Sequence, residues 1–151
     1  MEGVIYLLDT DTLVSMIRGL KSARRPAVRK QAEAVVKHCR EAQAAGHGVG
    51  LSAITVSELE FGARHSGDYE AEIAAVHQVL APFEIFDYDA VACPVHYGAI
   101  RQDLDATGIP IGAMDLLIAA HALALNATLV SNNQAHFSRV TGLMTANWLV
   151  T

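Results

Sequence analysis

Short apolar runs alternate along the chain with longer stretches in which apolar residues recur every three or four positions. The first pattern suits buried strands and the second amphipathic helices. Val4 to Leu8 reads as a buried strand. Asp9-Thr10-Asp11-Thr12 ends it and opens a helix, with Asp11 or Thr12 as N-cap, that stops near Gly19. Residues 20–26 read as a basic, proline-containing loop. A long amphipathic helix follows from Ala27 to Ala45, ended by Gly46. Val49 to Ala53 is a second strand, Thr55 to Arg64 a helix, Tyr69 to Leu80 another, and Phe83 to Phe86 a strand. Asp89 caps a helix reaching about Ala106, in which Pro94 is awkward unless it lies in the first turn. After the tight connection Gly108 to Gly112 come an apolar helix, Ala113 to Leu125, and a strand, Thr128 to Ser131. Asn132 to Ser138 is a polar loop or short helix, and Leu143 to Val150 holds one last short strand. Strands bounded by helices on both sides predict a parallel α/β sandwich. Leu117, Ile118 and Leu125 are expected in its core, and Trp148 packs near the last strand.

The 151 residues, 52% of them hydrophobic, suffice for a core that folds unaided. With no repeat and no low-complexity segment, residues 1–151 read as a single domain. No apolar run approaches the roughly 18 residues of a membrane span. The N-terminus lacks a basic cluster, so Val4 to Leu8 is a strand and not a signal peptide. Cys39 and Cys93 match neither a metal spacing nor a disulfide framework, and the cytoplasm is the default compartment.

The net charge of −5 is unusual for a nucleic-acid binder, but it hides an asymmetry. Of 11 bases, eight lie between Arg18 and Arg40: Arg18, Lys21, Arg24, Arg25, Arg29, Lys30, Lys37 and Arg40. No lysine follows Lys37 and no acid follows Asp115. Such a local region can meet phosphate even in an acidic protein, or it is simply a solvated helix face.

In open α/β sheets the active crevice lies beyond the carboxyl ends of the strands. The polar residues falling there are Asp9 and Asp11 after the first strand and Glu58 in the first turn of the helix after the second. Ser131, Asn132 and Asn133 follow the last core strand, and Asp115 opens an otherwise apolar helix. Each has a structural explanation. Asp9 and Asp11 suit a turn and cap, Thr55-x-x-Glu58 fits a capping box, and Asp115 suits a helix dipole. Together they put three acids from separate segments on one sheet edge with no lysine nearby. Carboxylates a few ångströms apart repel by about 4 kcal/mol per pair at an effective dielectric of 20. Either their pKa values rise or a cation fills the gap. Oxygen ligands without a His or Cys cluster favour Mg²⁺ or Mn²⁺ over Zn²⁺. Such a site suits metal-assisted phosphodiester hydrolysis. His121 reads as a packed, hydrogen-bonded histidine, His136 as part of the polar loop, and Met16 and Ile17 as core or dimer surface.

The chain resembles the PIN-domain ribonucleases, most closely the VapC-like toxins of bacterial toxin–antitoxin pairs. The matching segments are Tyr6 to Asp11, Leu51 to Gly62, Phe86 to Asp89, Gly108 to Ala122 and Leu129 to Phe137, with Gly142-Leu143. The resemblance implies a three-layer α/β/α sandwich with a short parallel sheet. It implies a Mg²⁺- or Mn²⁺-dependent endoribonuclease, a homodimer held inactive by a cognate antitoxin. By motif, the family's acids fall on Asp9, Glu58 and Asp115, which would ligate metal directly or through water, with Asn133 assisting. Two departures stand out. Asn133 occupies a position that is often acidic, and His136 stands where an acid often precedes the loop phenylalanine. Asp11 stands where asparagine is common and would add a carboxylate behind the metal ligands; Asp103 and Asp105 read as a solvated helix face, or as an acid that compensates at the rim or binds a second metal.

Two other readings compete. Asp9-Thr-Asp-Thr is similar to the nucleophile loop of haloacid-dehalogenase-like phosphatases, but those need a downstream lysine or arginine to balance the phospho-aspartate, no lysine follows Lys37, and Leu13 stands where Thr or Val is usual; receiver domains fail for the same missing lysine. A degenerate PIN domain that only binds RNA or an antitoxin is the non-enzymatic alternative.

Overall fold

The computed structural model describes residues 3–21 and 25–150. Its elements run β1 (Ile5–Leu8), α1 (Thr10–Lys21), α2 (Pro26–Ala44), β2 (Gly48–Ser52), α3 (Ala53–His65) and α4 (Tyr69–Leu80). They continue with β3 (Glu84–Phe86), α5 (Ala92–Thr107), α6 (Ala113–Leu125), β4 (Thr128–Val130), α7 (Gln134–Phe137) and β5 (Met144–Ala146). The strands form one parallel sheet in the order β3-β2-β1-β4-β5. The chain steps outward from β1 to β2 and β3, then returns to the other side of β1 for β4 and β5. The order therefore reverses between β1 and β4, which is where an open parallel sheet leaves a crevice at its carboxyl edge.

The two-residue period of the strands divides the core into two layers. Leu8, Val49, Leu51 and Val130 face one side and pack with Leu13, Val35, Leu59 and Val76 from the first four helices. Leu7 and Leu129 face the other side and pack with Ile100, Leu104, Ile118 and Ala119 from α5 and α6. The result is the α/β/α arrangement the sequence implied. Trp148 joins the first layer, and so do Met16 and Ile17, which settles them as core within the chain. Leu117 differs from expectation: it is half-buried, and Leu116 takes the core position, because the apolar helix turns its neighbouring residue inward. Both cysteines are free and buried. Among the described residues no helix is long and apolar enough to cross a membrane.

Three boundaries depart from the pattern reading, each for a local reason. The cap of α1 is Asp9 rather than Asp11 or Thr12, since its Oδ1 accepts the Thr12 amide at 2.8 Å. Gly19 does not end α1, which continues to Lys21. It is small because α2 crosses there: a Cβ on Gly19 would lie 2.2 Å from the Ala32 Cβ. Of the expected basic loop, residues 22–24 lie outside the described residues, and Pro26 already opens α2. The third departure concerns α3. It starts at Ala53 with Ser52 as N-cap, Oγ accepting the Ile54 amide at 3.0 Å. Glu58 therefore stands in the second turn, and the Thr55–Glu58 capping box does not form. Elsewhere Asp89 Oδ2 takes the Val91 and Ala92 amides ahead of α5, and Pro94 lies in that helix's first turn as expected.

Candidate active site

Asp9 leaves β1 at the point where the strand order reverses. Its amide donates to the Val130 carbonyl at 3.0 Å, which stitches the end of β1 to β4. Thr12 Oγ1 donates to the same carbonyl at 3.2 Å. The Asp9 side chain is 4% exposed, and its carboxylate is held by Thr12 and Ser131. Burial dominates those hydrogen bonds and pushes its pKa up from 3.8 to about 6. Asp11, exposed on the next turn, raises it a little further by charge repulsion.

Glu58 reaches the same edge from α3. Thr10 Oγ1, the first residue of α1, donates to Glu58 Oε1 at 2.6 Å and lies 3.3 Å from Thr55 Oγ1. Thr10 carries the link between α1 and the acid of α3, and the sequence pattern does not reveal it. The only signal was its place between Asp9 and Asp11, because a contact across 48 positions leaves no local pattern.

Asp115 lies in the first turn of α6, half-buried, with Oδ2 3.4 Å from His136 Nδ1. That nitrogen is 2.9 Å from Asn133 Nδ2. Neutral imidazole accepts from the Asn133 amide there, whereas a protonated ring turns the same position into a donor toward Asp115. Ser131 Oγ accepts the Asn133 amide at 2.9 Å, and Gln134 Nε2 donates to the Ser131 carbonyl at 2.7 Å, so the turn after β4 is firmly built. His136, read from sequence as polar loop, is thus a neighbour of Asp115 and Asn133. Asp103 and Asp105 are exposed on α5.

All four predicted residues are tied to elements that meet the carboxyl edge of the sheet: Asp9 through Ser131, Glu58 through Thr10, and Asp115 and Asn133 through His136. They are not drawn into one knot. Among the described residues, no three His, Cys, Asp or Glu side chains are grouped closely enough to hold a metal ion as they stand. The expected convergence is an edge shared by three acids rather than a finished cage. No lysine or arginine among the described residues forms an ion pair with any of them; the cationic pairs run from Lys21 to Glu72, Arg29 to Glu33 and Lys37 to Glu41.

His121 is 1% exposed on α6, with Nδ1 2.7 Å from Ser52 Oγ, as a packed and hydrogen-bonded histidine should be. Burial lowers its pKa, which favours the neutral ring.

The PIN domain family model matches residues 6–143. The chain belongs to the PIN-domain family. Within that family it is 34% identical over 145 residues to Ribonuclease VapC2 of Rickettsia felis, covering 96% of this chain and 98% of that one. It is 37% identical over 146 residues to Ribonuclease VapC2 of Haemophilus influenzae, covering 95% and 98%. A tRNA(fMet)-specific endonuclease VapC of Shigella flexneri is 38% identical over 98 residues, 65% of this chain and 74% of its own length. Among solved structures, VapBC2 from Rickettsia felis bound to a DNA fragment from their promoter superposes with a TM-score of 0.79 at 33% identity, covering 95% of this PIN domain and 98% of that chain. VapBC-1 from nontypeable Haemophilus influenzae superposes at 0.77 and 30%, covering 97% and 99%. The phosphatase and receiver readings fall away with the family match.

Proposed function

We propose that this PIN domain is a Mg²⁺- or Mn²⁺-dependent endoribonuclease, the toxin of a toxin–antitoxin pair, acting as a homodimer in the cytoplasm. The observation that carries the reading is the buried Asp9 carboxylate at the strand reversal, with Glu58 and Asp115 on the same edge and no lysine or arginine paired to any of them among the described residues. Near-full-length relatives bear the name ribonuclease, one relative is named for tRNA(fMet), and the superposed structures are toxin–antitoxin complexes. Substrate RNA and a small antitoxin protein are the partners this reading implies. An arginine of the antitoxin, inserted among the acids, would serve as an inhibitory device.

The donor set fits a divalent cation. It is oxygen-rich, acidic and uncompensated, and a carboxylate with a pKa near 6 gains from a neighbouring positive charge. Asp9 and Asp115 would hold the ion, with Glu58 joining directly or through water. A divalent cation there supplies Lewis acidity, making hydroxide available near neutral pH and offsetting phosphoryl charge. The chain's own residues do the rest. Thr12 and Ser131 hold the Asp9 carboxylate in place. Thr10 occupies Oε1 of Glu58, which leaves Oε2 to orient a water. Asn133 holds His136 Nδ1, so the ring proton sits on Nε2, available as a donor toward a phosphate oxygen.

A binding-only PIN domain is the second reading. It is favoured by the amide at Asn133, which adds no charge, and by the open spacing of the acids. One experiment separates the two. Purified protein, free of antitoxin, is incubated with total RNA in Mg²⁺, Mn²⁺ or EDTA, beside D115N. Discrete products that need metal and vanish in D115N are expected. No cleavage by a folded wild-type protein on any RNA fraction gives the binding reading precedence.

A further inference from the structure

One buried polar pair links the helices that carry Glu58 and Asp115. Ser52 ends β2 and caps α3, where its Oγ accepts the Ile54 amide. The hydroxyl's single proton is left for His121 Nδ1 on α6, 2.7 Å away. Nδ1 therefore accepts, and the ring proton lies on Nε2. Ser52 and His121 are each 1% exposed. Tyr88 meets the imidazole edge-on at 5.5 Å, the Asp87 backbone lies against the ring as a weak hydrogen-bond partner, and Nε2 is buried without a well-formed bond among the described residues.

A buried N–H with so weak a partner adds little to stability. What the imidazole provides is a directed bond between two helices. Among the described residues no other side-chain hydrogen bond joins α3 or its cap to α6. Glu58 stands six residues after Ser52, and Asp115 six residues before His121. Both helices are stiff over that length. A slide or tilt of α6 against α3 would therefore move one carboxylate relative to the other.

We propose that His121 is a positioning residue: through Ser52 it fixes α6 against α3, and so sets the separation of Asp115 and Glu58. The inference rests on the nuclease reading above and names a determinant of that same site.

The test compares H121F with H121N. H121F keeps a ring but removes both the acceptor for Ser52 and the buried N–H. H121N returns an amide oxygen close to where Nδ1 stands. Initial rates of total-RNA cleavage in Mn²⁺ should fall roughly 10- to 100-fold in H121F, the range that a misplacement of about 1 Å produces. H121N should recover most of the loss although it packs less well. Rates are compared per folded molecule, with the melting temperature of each variant measured alongside. S52A should lose rate to a similar degree, and the S52A/H121F double variant no more than either alone. Should H121F fail to fold, H121L and S52A carry the comparison. Mn²⁺ titration followed by electron paramagnetic resonance, without RNA, is the second readout and should show weaker binding in H121F. Wild-type rate in H121F, or H121N no better than H121F, would overturn the proposal. If the wild type itself cleaves nothing, the nuclease reading fails by that result, and unchanged Mn²⁺ affinity in H121F then removes the positioning role as well.

Discussion

Asp9 shows what an acid costs when water reaches little of it. Its pKa, pushed from 3.8 to about 6, means the folded chain holds this proton more tightly than the unfolded chain does. Stability of the metal-free protein therefore falls as pH rises from about 4 through about 6. That difference corresponds to about 3 kcal/mol. We expect D9N to remove that slope and to raise the urea midpoint at pH 7.5, while abolishing RNA cleavage. Mg²⁺ or Mn²⁺ should raise the wild-type melting temperature more at pH 7.5 than at pH 5, and should leave D9N almost unmoved. Unfolding curves at the two pH values, with and without metal, check both. A D9N variant less stable than wild type at pH 7.5 would favour a pure capping role. At Thr10 the expectation is different in kind. T10V leaves the Glu58 carboxylate without its donor, so cleavage should drop about tenfold, within the range of one misplaced catalytic group, with little change in melting temperature.

At the scale of elements, most of the fold was legible because the hydrophobic period switches cleanly between 2 and 3.6. Helices α4 and α6 fall on the residues the pattern implies. The misplaced boundaries are those decided by a partner far along the chain. Gly19 reads as a stop, but it is a notch for Ala32 of the next helix. Thr55 reads as the cap of α3, but Ser52 does the capping and Thr55 is buried beside Thr10. For the same reason the strand ends carrying Asp9, and the first turn carrying Asp115, were placed from sequence, whereas the links Thr10–Glu58 and Asp115–His136 were not. Position along an element is local information; which side chain another one meets is not. Gly19 supplies a test at this scale. G19V should cost about 1–3 kcal/mol through overpacking between α1 and α2. Cleavage per folded molecule should stay unchanged, since the crowding lies at the far end of α1 from Asp9. Chemical denaturation beside an activity assay separates the two effects.

Across the whole molecule, the bases spread along the first helical pair, and Arg18 and Lys21 line one groove with Thr10 and Glu58. Thr10 and Lys21 stand at opposite ends of α1, which at 1.5 Å per residue puts them about 17 Å apart. Arg18, Lys21, Arg25, Lys30, Lys37 and Arg40 are exposed along α1 and α2. That spacing would let a backbone a few nucleotides long lie on the basic end while its scissile phosphate sits at the acids. For the cleavage-dead D115N variant, log affinity for single-stranded RNA should fall linearly with log salt. The triple substitution R25A/K30A/R40A should reduce the slope by about 0.7 for each phosphate it no longer neutralises. An unchanged slope would assign the basic face to a protein partner. Sequence alone could count these charges but not say that Arg18 and Lys21 share a groove with Glu58.

The central place of β1 also sets a clock. The first strand made waits longest for its second neighbour, β4: Thr12 reaches the carbonyl of a residue 118 positions later. At 5–20 residues per second, roughly 6 to 24 s of synthesis separate the two. Until then Asp9 has no Ser131 beside it, and Asp115 has no His136. A growing chain with the proposed activity therefore stays harmless to the RNA that surrounds its birth, and becomes dangerous only in its last moments of assembly.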